Sequence, residues 1–247
     1  MRKFILLFVS VLMGTALFAQ TPGAAEKNAG NAAYKAKNYA EAFKNWEAYL
    51  KIVENKDNPC VYNTAVVAQR IKNYEAAVKY YDLSIANRYK LASSYVGKAT
   101  ALRALKKTDE MLATLDAGMK ASPGNMKLET MYATHFLKEG QTFQKAGNEA
   151  KAAENYMKIT ELKTKSFQVQ GFLSLAGLYF NDGAKILQDA TPIATTDRAK
   201  YDAEKAKAVE LFKKAKGYAT QAQSLEPANE DVKAMVSQID AELAKQA

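Results

Sequence analysis

The chain has 247 residues, of which 48% are hydrophobic and 25% charged, with 12 glycines and 5 prolines. This composition excludes a disordered or collagen-like chain and allows one sizeable domain or one repeat array rich in helix formers. The formal net charge is +9, and the single cysteine, Cys60, excludes a disulfide within the chain.

Residues 1–19 have the layout of a secretory signal peptide: Arg2 and Lys3, an apolar run from Phe4 to Met13, then Leu17-Phe18-Ala19 before Gln20. The apolar run is short for a membrane span, which needs about 20 residues. No cysteine follows the expected cleavage point, so lipid attachment is not expected there. Removing Arg2 and Lys3 lowers the net charge from +9 to +7, since residues 1–19 contain no acid. A positive surface attracts acidic protein, anionic lipid or nucleic acid. Export argues against nucleic acid.

From residue 24 the chain repeats itself. Gly30 to Phe43 and Ala65 to Val78 share a small residue, a helical stretch, a Lys-Asn-Tyr turn and a small residue opening a second apolar face. Ala42 and Ala77 are 35 apart, Met111 follows 34 later, and Gly140 to Ala152 repeats the shape around Gly147-Asn148. Small residues let two helices approach, and Trp46, Tyr81 and Tyr156 fill the space beside them. Five helix pairs are expected, at about 24–53, 59–87, 91–121, 125–163 and 166–226. The last is a long hairpin broken at Pro192 and restarted by a cap at Thr196 or Asp197. Pro227 and Asn229 then open a polar capping helix, 229–245, which closes the exposed end.

A period near 34 with this pattern resembles the tetratricopeptide repeat (TPR). The residues that carry the resemblance are Gly30, Ala65, Ala42, Ala77 and Ala152 at the contacts, Trp46, Tyr81 and Tyr156 between helices, and Pro123 and Pro227 at the closures. Met111 departs from it, standing where the family prefers alanine. The resemblance implies an all-α, right-handed solenoid of about five pairs over residues 20–247. The run from Lys200 to Ala215 looks like the closing unit of exported Gram-negative repeat proteins. The expected location is therefore periplasmic, extracellular or outer-membrane associated.

Little in the sequence points to catalysis. His135, the only histidine, has Glu139 one turn on, but a metal site normally takes three or four ligands. One histidine and one cysteine build no nucleophilic triad, and Gly177 and Gly183 lie in a helical pattern, not a phosphate loop. Cys60 follows Pro59 at a helix start, where a thiolate can be stabilised; a small, half-buried side chain is the simpler reading. The chain is expected not to be an enzyme, and no cofactor or metal is expected. Tyr62, Tyr74, Tyr80, Tyr81, Tyr89 and Tyr95 suit either an interface or helix packing, with Tyr74 and Tyr81 read as packing.

In the family, the first helix of each pair lines a concave groove. Carried over, this places Lys27, Asn31, Tyr34, Asn63, Gln69, Arg70, Arg103, Lys138 and Gln141 on a surface without Asp or Glu. Amides bond a peptide backbone and Arg or Lys pairs with carboxylates, so the expected partner is a protein or peptide, acidic or held by its C-terminal carboxylate. Lys27, Asn31 and Asn63 are similar to half of the family's carboxylate clamp, but Ser93 and Gly97 stand where its other cations belong. The expected function is an interaction scaffold or adaptor. The alternatives are a structural part of an outer-membrane or secretion assembly and, less favoured, an enzyme or glycan-binding protein.

Overall fold

The computed structural model describes residues 21–246, which form eleven α-helices and one 3₁₀ turn; the expected signal peptide lies outside the described residues. In chain order the helices are α1 (Ala24–Lys35), α2 (Tyr39–Ile52), α3 (Asn58–Arg70), α4 (Tyr74–Ala86), α5 (Leu91–Ala104) and α6 (Thr108–Ala121). They continue with α7 (Met126–Lys145), α8 (Glu149–Thr160), α9 (Lys165–Ala190), the 3₁₀ turn Thr191–Ile193, α10 (Arg198–Leu225) and α11 (Glu230–Gln246). Each odd helix pairs with the even helix after it, α11 covers the end, and the result is an all-α solenoid.

One local plan recurs in the first four pairs. A small inner-helix residue (Gly30, Ala65, Ala99 or Gly140) is followed at +12 by Ala42, Ala77, Met111 or Ala152 and at +16 by Trp46, Tyr81, Leu115 or Tyr156; all are buried. Trp46 lies on Gly30 and Tyr156 on Gly140 so closely that a Cβ at either glycine would strike the ring. Tyr81 presses instead on Gly97 of the following pair, which ties α4 to α5. Met111, the departure from alanine, is only 4% exposed and packs with Leu102, Leu115 and Leu128. An unbranched thioether fills an irregular gap without forcing its neighbours apart.

The turns inside these pairs also share one construction. Lys37, Lys72, Lys106 and Gly147 adopt left-handed φ values of 60, 62, 60 and 71°. The next N–H then reaches back to the carbonyl five residues earlier, as in Asn38 to Ala33 and Asn148 to Phe143. This satisfies carbonyls that the helix end leaves open. Asn38, Asn73 and Asn148 next cap the outer helices by accepting from the N–H groups of Glu41, Ala76 and Lys151. Lys107 occupies the corresponding place before α6 and provides no side-chain cap.

The start of α9 is built differently. Thr164 at its N-cap makes no side-chain bond there. Instead Glu129 of α7, 1% exposed, accepts from Lys163 N at 3.2 Å and Thr164 N at 2.9 Å. A buried carboxylate survives because backbone donors meet it at the positive end of a helix.

The fifth pair is a long hairpin. Asp197 caps α10 through Lys200 N at 3.1 Å, and Asn229 caps α11 through the N–H groups of Asp231 and Val232. The buried residues of α10 are Ala208, Phe212, Ala215, Ala219 and Ala222. That alternation of four and three is a coiled-coil seam, and Phe212 sits against Gly183 of α9. Tyr179 stacks on Tyr218 at 5.7 Å with Lys214 Nζ 4.0 Å above the Tyr179 ring. No α10 residue before Ala208 is buried, so the hairpin tip projects beyond its neighbours.

Two glycines test this packing in opposite directions. Gly140→Ala should destabilise by about 1–3 kcal/mol, because a full core resists even one added carbon. Gly217, inside α10 with nothing near its missing Cβ, should gain roughly 0.5–1 kcal/mol as alanine. Chemical denaturation of both variants checks the pair of signs.

Candidate interaction surface

The backbones of the odd-numbered helices α3, α5, α7 and α9 approach one another in succession, whereas those of the even helices α2 to α8 stay apart among the described residues, and α2 and α4 meet only through side chains such as Tyr80 on Phe43 and Glu47. The odd helices therefore form the inner layer of the curve. Charge is divided between the layers in the second and third pairs. α3 and α5 contain no Asp or Glu, while their outer partners carry Glu75 and Asp82 on α4 and Asp109, Glu110 and Asp116 on α6.

The expected surface residues fall into two groups. The first is engaged within the fold. Lys27 Nζ lies 2.6 Å from Asp57 and over the Tyr49 ring at 5.2 Å. Its charge is thus shared with a neighbouring carboxylate. Asn31 Oδ1 accepts from Trp46 Nε1 at 3.1 Å. Because an indole N–H only donates, the amide nitrogen of Asn31 is left for other acceptors. Gln69 Oε1 accepts from the Tyr81 hydroxyl at 3.0 Å, and Gln144 Oε1 from that of Tyr156 at 2.8 Å. Tyr34, 40% exposed, leans on Trp46 at 5.4 Å and meets Tyr39 edge-on at 5.7 Å.

The second group faces outward. Asn63, Arg103, Lys138 and Gln141 are exposed on α3, α5 and α7, and none has a side-chain hydrogen bond or ion pair among the described residues. Arg70 is also exposed, with its guanidinium 4.5 Å from the Tyr39 ring centre. Tyr34, Gln69, Arg103 and Gln144 occupy one register, each +12 before the large outer-helix side chain. At three of these places the side chain holds an aromatic. At the third pair the outer residue is Leu115, and Arg103 is left free. Sequence reasoning placed these residues on one surface but did not foresee that the amide oxygens anchor aromatics. The +12 offset from Gln69 to Tyr81, repeated from Gln144 to Tyr156, was the available signal.

Asp57 ties the first two pairs together. It caps α3 through Cys60 N at 3.0 Å and accepts from Tyr49 Oη at 2.9 Å as well as from Lys27. Burial pushes its carboxyl up, but the bonds from Lys27, Cys60 and Tyr49 outweigh it and hold the group below the usual 3.8. Cys60 is buried at 5% exposure, and burial pushes its thiol up to about 11. Its place at a helix start therefore yields no stabilised thiolate. Burial also lowers His135, against the partial opposition of Glu139. Among the described residues, no group of three or more His, Cys, Asp or Glu is placed to hold a metal.

Similarity to known structures agrees with this architecture. A TPR protein from Bacteroides fragilis superposes with a TM-score of 0.85 at 44% identity, over 90% of this chain and 100% of that one. The chain belongs to the tetratricopeptide-repeat family. A TPR protein from Parabacteroides merdae is more distant, with 15% identity, a TM-score of 0.41 and coverage of 88% and 84%. No protein-family model matches the sequence, and a search of curated proteins returns no match. As a TPR solenoid the molecule is a protein-interaction scaffold, and none of its described helices is long and apolar enough to cross a membrane.

Asp57→Ala removes a cap, an ion pair and a hydroxyl acceptor together, and should cost roughly 1–3 kcal/mol at pH 7. The carboxyl is lowered in the folded state, so its contribution is present above the unfolded value near 3.8 and fades as pH falls through the folded value. Urea unfolding at pH 7 and pH 3 should show a large difference between variant and parent at the first and a smaller one at the second.

Proposed function

We propose that this TPR protein is a non-enzymatic adaptor of the bacterial envelope that holds an extended acidic peptide along its inner layer. The observation that carries the reading is the absence of acids from α3 and α5 beside the free cations Arg103 and Lys138 and the ring-backed Arg70. Asn31, Gln69 and Gln144 spend their oxygens on aromatics and keep their N–H groups, so the surface offers donors. Peptide carbonyls and carboxylates are the matching acceptors. Asn63 and Gln141 extend the same wall, while Tyr34 supplies an exposed aromatic rim and Lys27 a cation partly neutralised by Asp57.

Charge-assisted bonds contribute about 1.5–3 kcal/mol each. Arg70→Glu with Arg103→Glu should weaken capture of the acidic partner at least roughly tenfold, which is about 1.4 kcal/mol. Thermal stability should change little, because both side chains are exposed. A pull-down from envelope extract with the folded double variant checks this.

The projecting tip of α9 and α10 favours one other reading, docking within an envelope assembly. If that reading is right, trimming the tip abolishes capture and the arginine pair leaves it intact.

The envelope location rests on the N-terminal sequence: a basic start, an apolar run and small residues before Gln20. Protein recovered from an envelope fraction should begin at or near Gln20 on N-terminal sequencing. Retention of Met1 on cytoplasmic protein would contradict it.

A further inference from the structure

The junction between the third and fourth pairs holds a cleft of about 320 Å³ on the outer side of the solenoid, opposite the inner layer. It lies between α6 and the end of α8, with α7 as its floor. It exists because α7 has 20 residues and α8 only 12, so the first half of α7 runs on without an outer helix of its own. Its volume is at the small end of the range for small-molecule sites.

The lining is mixed in charge and only partly polar. Asp116 and Lys120 stand on α6; Glu161 and Lys163 follow the end of α8; Met119, Leu162 and the half-buried Tyr132 make the apolar part. Lys158 also borders the cleft but lies 4.3 Å over the Phe136 ring. Glu129 is already satisfied by the N–H groups of Lys163 and Thr164. The remaining four charges face one cavity, and among the described residues none of them is in an ion pair. Two carboxylates and two ammonium groups share the walls without reaching each other. Burial, and then the charges of Asp116 and Glu161, push the Tyr132 phenol up to about 12.

We propose that this cleft binds a small zwitterion, a dipeptide with an aliphatic side chain, its ammonium group between Asp116, Glu161 and Tyr132 and its carboxylate on Lys120 and Lys163. A cation alone would meet the two lysines, and an anion alone the two acids. A molecule carrying both charges pairs all four and lays its side chain on Met119 and Leu162. The Tyr132 ring adds a face that attracts the ammonium group. This site is separate from the inner layer and does not depend on the peptide-binding reading.

The test is an NMR titration of the mature chain with alanyl-leucine, N-acetyl-alanyl-leucine and alanyl-leucinamide. The free dipeptide should give saturable shifts at Met119 and Tyr132, and either capped form should bind at least about tenfold more weakly. Asp116→Asn with Glu161→Gln should abolish the penalty for acetylation, and Lys120→Gln with Lys163→Gln the penalty for amidation. The capped ligands decide the matter on the parent protein even if a variant does not fold. No saturable shift up to about 10 mM, far weaker than a typical specific site, would overturn the proposal. So would equal binding of the capped forms, or shifts confined to α3 and α5.

Discussion

The structure depends on one contact: a large side chain of each outer helix set into a gap left by a small residue of an inner helix. An aromatic ring buries about 150–250 Å², more than any other single side chain in a pair. It can do so here only because Gly30, Gly97, Gly140 and Gly183 leave room for Trp46, Tyr81, Tyr156 and Phe212. The ring also brings a polar atom that must be satisfied. Asn31, Gln69 and Gln144 do this, and in doing so they become fixed points on the inner layer. Packing and binding surface thus share residues. The third pair, with Leu115 in place of an aromatic, needs no anchor and leaves Arg103 free.

Most of the fold was legible because its signals are local and repeated. The small-residue spacing, the Lys-Asn turn and the caps at Asp197 and Asn229 each depend on a few adjacent residues. What was not legible depends on pairs far apart in sequence. Glu129 reads as one more surface acid of α7, and only the folded chain shows it holding the start of α9, 34 and 35 residues away. Lys27 reads as a groove cation, yet Asp57 sits 30 residues on and takes it. Cys60 illustrates competing local and tertiary effects: a helix start favours the thiolate, and burial overrides it.

The base of the projecting hairpin carries a cost. Asp182 Oδ2 on α9 is buried without a hydrogen-bond partner. Burial, and then Glu149 of α8, push this carboxyl up to about 6 while Lys185 opposes them. Its folded value exceeds the unfolded one, so its penalty is absent below about 4 and grows as pH rises toward about 6. The tip beyond it is attached to the body only through α9 and α10. The inner layer, by contrast, is braced in the first, second and fourth pairs by an anchored ring. A rigid, donor-rich wall loses little freedom on binding an extended chain, and this favours the wall over the tip as the place where a partner is held.

The central claim is that the inner layer around the acid-free helices α3 and α5, and not the tip, is the holding surface. Photo-crosslinking in living cells tests it most directly, with the crosslinker placed in turn at Asn63, at Gln141 and at Ile193 on the tip. The account predicts covalent capture of an acidic segment of one partner from both inner positions and none from Ile193. Capture from Ile193 alone would contradict it.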